Sequence, residues 1–128
     1  MKYYYAKTID RSFDEAIDAV TNLLKEQGFG VLTEIDVQQT LKKKLDVDFK
    51  KYRILGACNP EFAYKALKAE DKIGVMLPCN VIVEEHENGQ VEVAAIDPVA
   101  SMQAVDNEQL PDIAGEVRDR LKKVIENL

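Results

Sequence analysis

The pair Asn88-Gly89 stands between two short β-branched runs, Val81-Ile82-Val83 and Val91-Glu92-Val93. Asn-Gly is the dipeptide favoured by a two-residue type I′ turn, because both central residues need a positive φ. An antiparallel hairpin is therefore expected late in the chain, and at least part of the sheet must be antiparallel. A two-residue loop also sets a register. It places Asn80 opposite Asp97 and Cys79 opposite Pro98. Pro98 cannot donate to a ladder, so the returning strand ends at Asp97-Pro98.

Upstream of the hairpin, strand and helix signals alternate. Residues Lys2 to Ile9 carry three tyrosines and the β-branched pair Thr8-Ile9, which reads as a first strand. The alternation of faces makes Tyr3-Tyr4-Tyr5 mainly strand packing, with Tyr4 left for solvent or a partner subunit. Ser12 with Glu15 forms a capping box, and Phe13, Ile17, Val20 and Leu24 follow at helical spacing. Gly28 closes this helix as a left-handed residue. Phe29, Val31, Thr33 and Ile35 alternate as a second strand. Asp36 with Gln39 opens a short helix carrying Val37, Leu41 and Leu45.

Tyr52 to Cys58 reads as a third strand with Tyr52, Ile54 and Cys58 on one face. Asn59-Pro60-Glu61 is a strong helix start: Asn at the N-cap, Pro at the first helical position, an acid in the first turn. Gly74 to Leu77 is expected to begin a strand that runs past Pro78 to His86, with a bulge or an edge position at Pro78. Ile113, Val117, Leu121, Val124, Ile125 and Leu128 mark a C-terminal amphipathic helix. The order is β-α-β-α-β-α-β-β-α, and the natural solution is an α+β fold with helices covering one side of the sheet. No linker, repeat or low-complexity stretch divides the chain, so residues 1–128 are read as one domain.

Composition excludes several functions. A net charge of −6 argues against general nucleic-acid binding. The local run Lys42, Lys43, Lys44, Lys50, Lys51 and Arg53 is interrupted by Asp46 and Asp48 and reads as a solvated surface, with a small anion or phosphate contact as the alternative. No apolar run is long enough to span a bilayer. The N-terminus lacks the apolar stretch of a signal peptide, so a cytoplasmic location with reduced cysteines is expected.

The candidate site rests on two pieces that mirror each other, Cys58-Asn59-Pro60 and Pro78-Cys79-Asn80, which hold the chain's 2 cysteines. Each joins a thiol to an amide beside a proline. Cys58 lies one residue before a predicted N-cap, where helix amides stabilise a thiolate. The plainer alternative for Cys58 and Cys79 is packing, since free cysteines are among the most buried residues. Asn80 and Asp97, opposed across the hairpin, form either the polar end of a ligand pocket or a capped turn before Pro98. His86 stands seven residues beyond Cys79 on one strand, about 23 Å away, so the two cannot share a metal. With one histidine and two cysteines a complete zinc ligand set is missing; a two-thiolate Cu(I) site stays geometrically open but nothing in the sequence supports it, and neither a metal nor another cofactor is expected.

Leu55-Gly56-Ala57-Cys58-Asn59-Pro60, with Ala63 and Leu67 downstream, and Met76-Leu77-Pro78-Cys79-Asn80-Val81 resemble the core motifs of the DUF302 family. These are small bacterial and archaeal domains of unknown function, and the resemblance runs over nearly the whole chain. It implies a curved, mainly antiparallel sheet with helices on one side, in a topology like that of the TATA-box-binding protein. It also implies a homodimer. It supplies no activity. The function expected is a homodimeric module that binds a small ligand or a partner, with its site at Cys58, Asn59, Cys79, Asn80 and Asp97. The alternative is a thiol-based redox protein or enzyme using Cys58, with or without Cys79, and enzymatic activity is left open.

Overall fold

The structure is a computed structural model and describes residues 2–128. Its elements in chain order are β1 (Tyr4–Ile9), α1 (Phe13–Glu26), β2 (Gly30–Asp36), α2 (Val37–Leu45), β3 (Tyr52–Cys58), α3 (Pro60–Ala69), a 3₁₀ segment (Asp71–Met76), β4 (Cys79–Glu85), β5 (Val91–Ile96), α4 (Pro98–Ser101) and α5 (Leu110–Glu126). The strands form one open five-stranded sheet in the order β1-β5-β4-β3-β2, and every neighbouring pair is antiparallel. The helices α1 and α5 lie on one side of it, as the sequence pattern predicts.

The sequence forms α1 where its caps demand. The Glu15 N–H donates to Ser12 Oγ at 3.2 Å, and the Ser12 N–H donates to Glu15 Oε1 at 3.1 Å. At the other end Gly28 takes φ +86°. That lets the Gly28 N–H reach Lys25 O and the Phe29 N–H reach Leu24 O, closing the last turn as a Schellman motif. Ala16, Val20 and Leu24 of α1 and Leu121, Val124 and Ile125 of α5 then bury themselves against Leu55, Ala57, Val81, Val83, Val93 and Ala95 of the sheet. Each larger side chain so buried contributes about 1.5–3 kcal/mol. A smaller cluster of Ala66, Ile73 and Leu110 joins α3, the 3₁₀ segment and α5.

Two local expectations are corrected. The hairpin loop has three residues, not two. The His86 N–H donates to Gln90 O at 2.8 Å and the Gly89 N–H to His86 O at 2.9 Å, with Gly89 at φ +83°. This is a type I turn followed by a left-handed glycine, the next commonest hairpin connection. The Asn88 side chain accepts the Gln90 N–H at 3.0 Å, which holds the turn without a positive φ at Asn88. The register therefore moves by one, with Val81 opposite Ala95 and Glu84 opposite Glu92.

The stretch Gly74 to Leu77 is not a strand. Gly74 to Met76 belong to the 3₁₀ segment, which inserts Ile73 into the smaller cluster and leaves Val75 exposed. Pro78 sits just before β4, the central strand, where its missing N–H removes no ladder bond. The short helix expected from Val37, Leu41 and Leu45 forms as α2; it buries no residue, and Leu45 is exposed. It is held by its Asp36 cap, whose Oδ1 accepts the Gln39 N–H at 2.9 Å.

Candidate functional site

The pairing of β3 with β4 sets Gly56 opposite Asn80 and Ala57 opposite Cys79. That register brings the two Cys-Asn motifs together at one end of the sheet. Cys58, Asn59, Pro78 and Cys79 all line a single cavity, closed by Phe62, Met102 and other side chains from α3, α4 and α5. The cavity measures about 40 Å³ and its walls are almost wholly apolar. A space of that size admits only a few water-sized groups, and it offers them few polar partners.

Both cysteines are free thiols. Cys79 is buried, and burial first, then the neighbouring Cys58, pushes its thiol up to about 11. It is thus protonated at neutral pH and a poor nucleophile. Cys58 is half-buried.

Asn59 occupies the N-cap position of α3, yet its side chain makes no cap bond. It is buried, and its Nδ2 donates to Gln27 O at 3.4 Å. The Arg120 guanidinium donates to the same carbonyl at 3.1 Å. Gln27 ends α1, where carbonyls lack intrahelical partners. Asn59 therefore ties the end of α1 to the start of α3 rather than capping its own helix.

Asn80 and Asp97 do not meet as the two-residue loop would have them. Asp97 turns to its own chain: Oδ1 accepts the Val99 N–H at 3.0 Å, capping α4. Asn80 is exposed on the opposite, helix-free face of the sheet. That face carries an apolar row through all five strands, Ala6–Ala94–Ile82–Ile54–Ile35. Beside it runs a polar row, Thr8–Glu92–Glu84–Tyr52. Tyr3, Tyr4, Tyr52, Asn80, Glu84 and Glu92 line a groove there of about 380 Å³. This falls within the roughly 300–1,000 Å³ of small-molecule sites.

Burial first, and the Glu84 charge second, raise the Tyr52 phenol above its usual range. Lys50 donates to Glu84 Oε1 at 2.6 Å, and that hydrogen bond raises its ammonium. Of the residues expected at the site, Cys58, Asn59 and Cys79 share the cavity, Asn80 joins the groove, and Asp97 joins neither. Of the groove's residues the sequence reading singled out Asn80 and left Tyr4 for solvent or a partner subunit, while Tyr3, Tyr52, Glu84 and Glu92 escaped it. Period-two alternation along β4 and β5 does place Asn80, Ile82 and Glu84 on one face. The one-residue register error, however, sets Glu92 opposite Glu85 instead of Glu84.

Fold and site together define a class: a small α+β domain with helices on one side of an antiparallel sheet and two thiols at the sheet's end. The model of the family described as domain of unknown function DUF302 matches residues 5–128, and the chain belongs to that family. It is similar to the crystal structure of an uncharacterized conserved DUF302 protein from Bacillus stearothermophilus. The two are 28% identical, with 98% of each chain covered and a TM-score of 0.91. No curated protein matches the chain. Among the described residues, no helix is long and apolar enough to cross a membrane.

Proposed function

We propose that the protein is a homodimeric binding module whose working surface is the helix-free face of the sheet. The observation that carries this reading is the 380 Å³ groove on that face, running beside an apolar row that no helix covers. Uncovered apolar surface of this kind marks interaction sites. A second copy packed on the row closes the groove, so that the ligand sits between subunits. Tyrosine rings, Ile82 and Ala94 offer an apolar bed, while Asn80 and the two carboxylates offer polar contacts. Such a lining suits a small molecule with an apolar body and a hydrogen-bond-donating or cationic end.

The apolar cavity at Cys58 and Cys79 is too small to hold such a ligand. A thiol-based redox role draws support from the shared cavity, but the buried, protonated Cys79 speaks against it. The test is native mass spectrometry of protein recovered from cell extract. A retained small molecule, lost in Tyr52→Ser or Asn80→Ala, supports the reading. Absence of any retained molecule, or retention unchanged by both substitutions, counts against it.

A further inference from the structure

We infer that Glu84, His86 and Glu92 form a binding site for a first-row divalent transition cation of the Zn²⁺ class. One ligand atom from each residue lies within 4.8 Å of the others. His86 Nε2 already stands 2.8 Å from Glu92 Oε1. Glu84 and Glu92 are directly opposed across β4 and β5. Like charges in that position destabilise a sheet unless a cation joins them.

A second observation is independent of the cluster's own geometry. The fold already sets a cation on Glu84: Lys50 Nζ lies 2.6 Å from its Oε1. Among the described residues, the other oxygen of Glu84 and the other oxygen of Glu92 take no hydrogen bond, so each carboxylate keeps a free ligand atom. The groove opens along both carboxylates and leaves room for further ligands on the cation.

The donor set decides the metal. One imidazole nitrogen with two carboxylate oxygens suits zinc-like ions, whereas Mg²⁺ and Ca²⁺ favour oxygen alone. Ligand atoms around tetrahedral Zn²⁺ stand about 3.3 Å apart, so closing the site needs only small side-chain rotations. The side chains of His86 and Glu92 are 37% and 29% exposed and can make those rotations towards Glu84, which is 14% exposed and held by Lys50. This site goes beyond the binding-module reading, and its test uses neither solution mass nor retained ligand.

Tag-free protein is titrated with ZnCl₂ by calorimetry. Saturable binding at one site per chain is expected, weakened at least about tenfold in His86→Ala and in Glu92→Gln. Lys50→Met should tighten it, because a competing cation is removed. The chain has 1 histidine, so its ring protons give one assignable pair of NMR signals, and these should shift on adding Zn²⁺. Circular dichroism confirms that the surface variants keep their fold. No saturable binding up to millimolar Zn²⁺ overturns the inference. So does binding that survives the His86→Ala/Glu92→Gln double variant, including binding that is lost only in Cys58→Ser.

Discussion

Substituting Gly56 by alanine tests how the two motifs interlock. Gly56 sits in the middle of β3, opposite Asn80 of β4 and Thr33 of β2. A Cβ built there collides with Thr33 Oγ1 and comes within 2.8 Å of Pro78 Cγ. Neither neighbour yields easily, since threonine is stiff at χ1 and proline is a ring. Overpacking of this kind costs about 1–3 kcal/mol. For a chain of 128 residues the unfolding entropy is about 0.27 kcal/mol/K, so Tm should fall by roughly 4–11 °C.

Gly30→Ala is the internal control. Gly30 lies in β2, and a Cβ there meets nothing within 4 Å. It should be neutral or slightly stabilising, because alanine loses less backbone entropy on folding. Combining Gly56→Ala with Thr33→Ala should recover part of the loss, giving a coupling of about 0.5–3 kcal/mol. Thermal unfolding followed by circular dichroism reads all of these. If Gly56→Ala melts like Gly30→Ala, the close packing of β2, β3 and Pro78 is refuted.

Leu121→Ala, at a fully buried position of α5, should cost about 2–5 kcal/mol. Leu45→Ala, at the exposed end of α2, should stay within about 0.5 kcal/mol; equal effects in urea titration would contradict the core assignment. In a Cys58→Ser background, Cys79 should resist iodoacetamide at neutral pH until the protein unfolds, because its thiol is pushed up to about 11. The linkage has a definite sign. The folded thiol holds its proton more tightly than the unfolded one, so its contribution is full below the unfolded value and is lost as pH rises towards 11. Stability that instead rises over that alkaline window in wild type, relative to Cys79→Ala, would contradict the burial argument.

Much of the fold was legible because local chemistry and packing agree. Ser12, Glu15 and Gly28 mark α1 at both ends, and the α5 stripe of Val117, Leu121 and Val124 is the stripe that is buried. The misreadings have physical causes. Asn88-Gly89 serves a two-residue or a three-residue hairpin equally well, and only the strand pairing on either side decides between them. That single residue separates an Asn80–Asp97 pair from the Glu84–Glu92 pair that forms. Val37, Leu41 and Leu45 have helical spacing, but no sequence pattern says whether a neighbouring surface exists to bury them. The meeting of Cys58 with Cys79 depends on β3 pairing with β4, a contact between segments that only the assembled sheet fixes. Asn59 had the right position for a cap, and the competing Gln27 carbonyl became visible only with α1 packed beside it.

The most direct measurement of the account is the solution mass of Ile82→Lys beside wild type, by light scattering at micromolar concentration. Ile82 lies on the central strand in the apolar row of the helix-free face, outside the buried core formed by Val81 and Val83. Wild type should have twice the 14.4 kDa chain mass. Ile82→Lys should keep its circular dichroism spectrum and fall to the single chain mass, because it places a charge in the middle of the contact. A monomeric wild type, or a dimer that Ile82→Lys leaves intact, would contradict the claim that the helix-free face is the working surface.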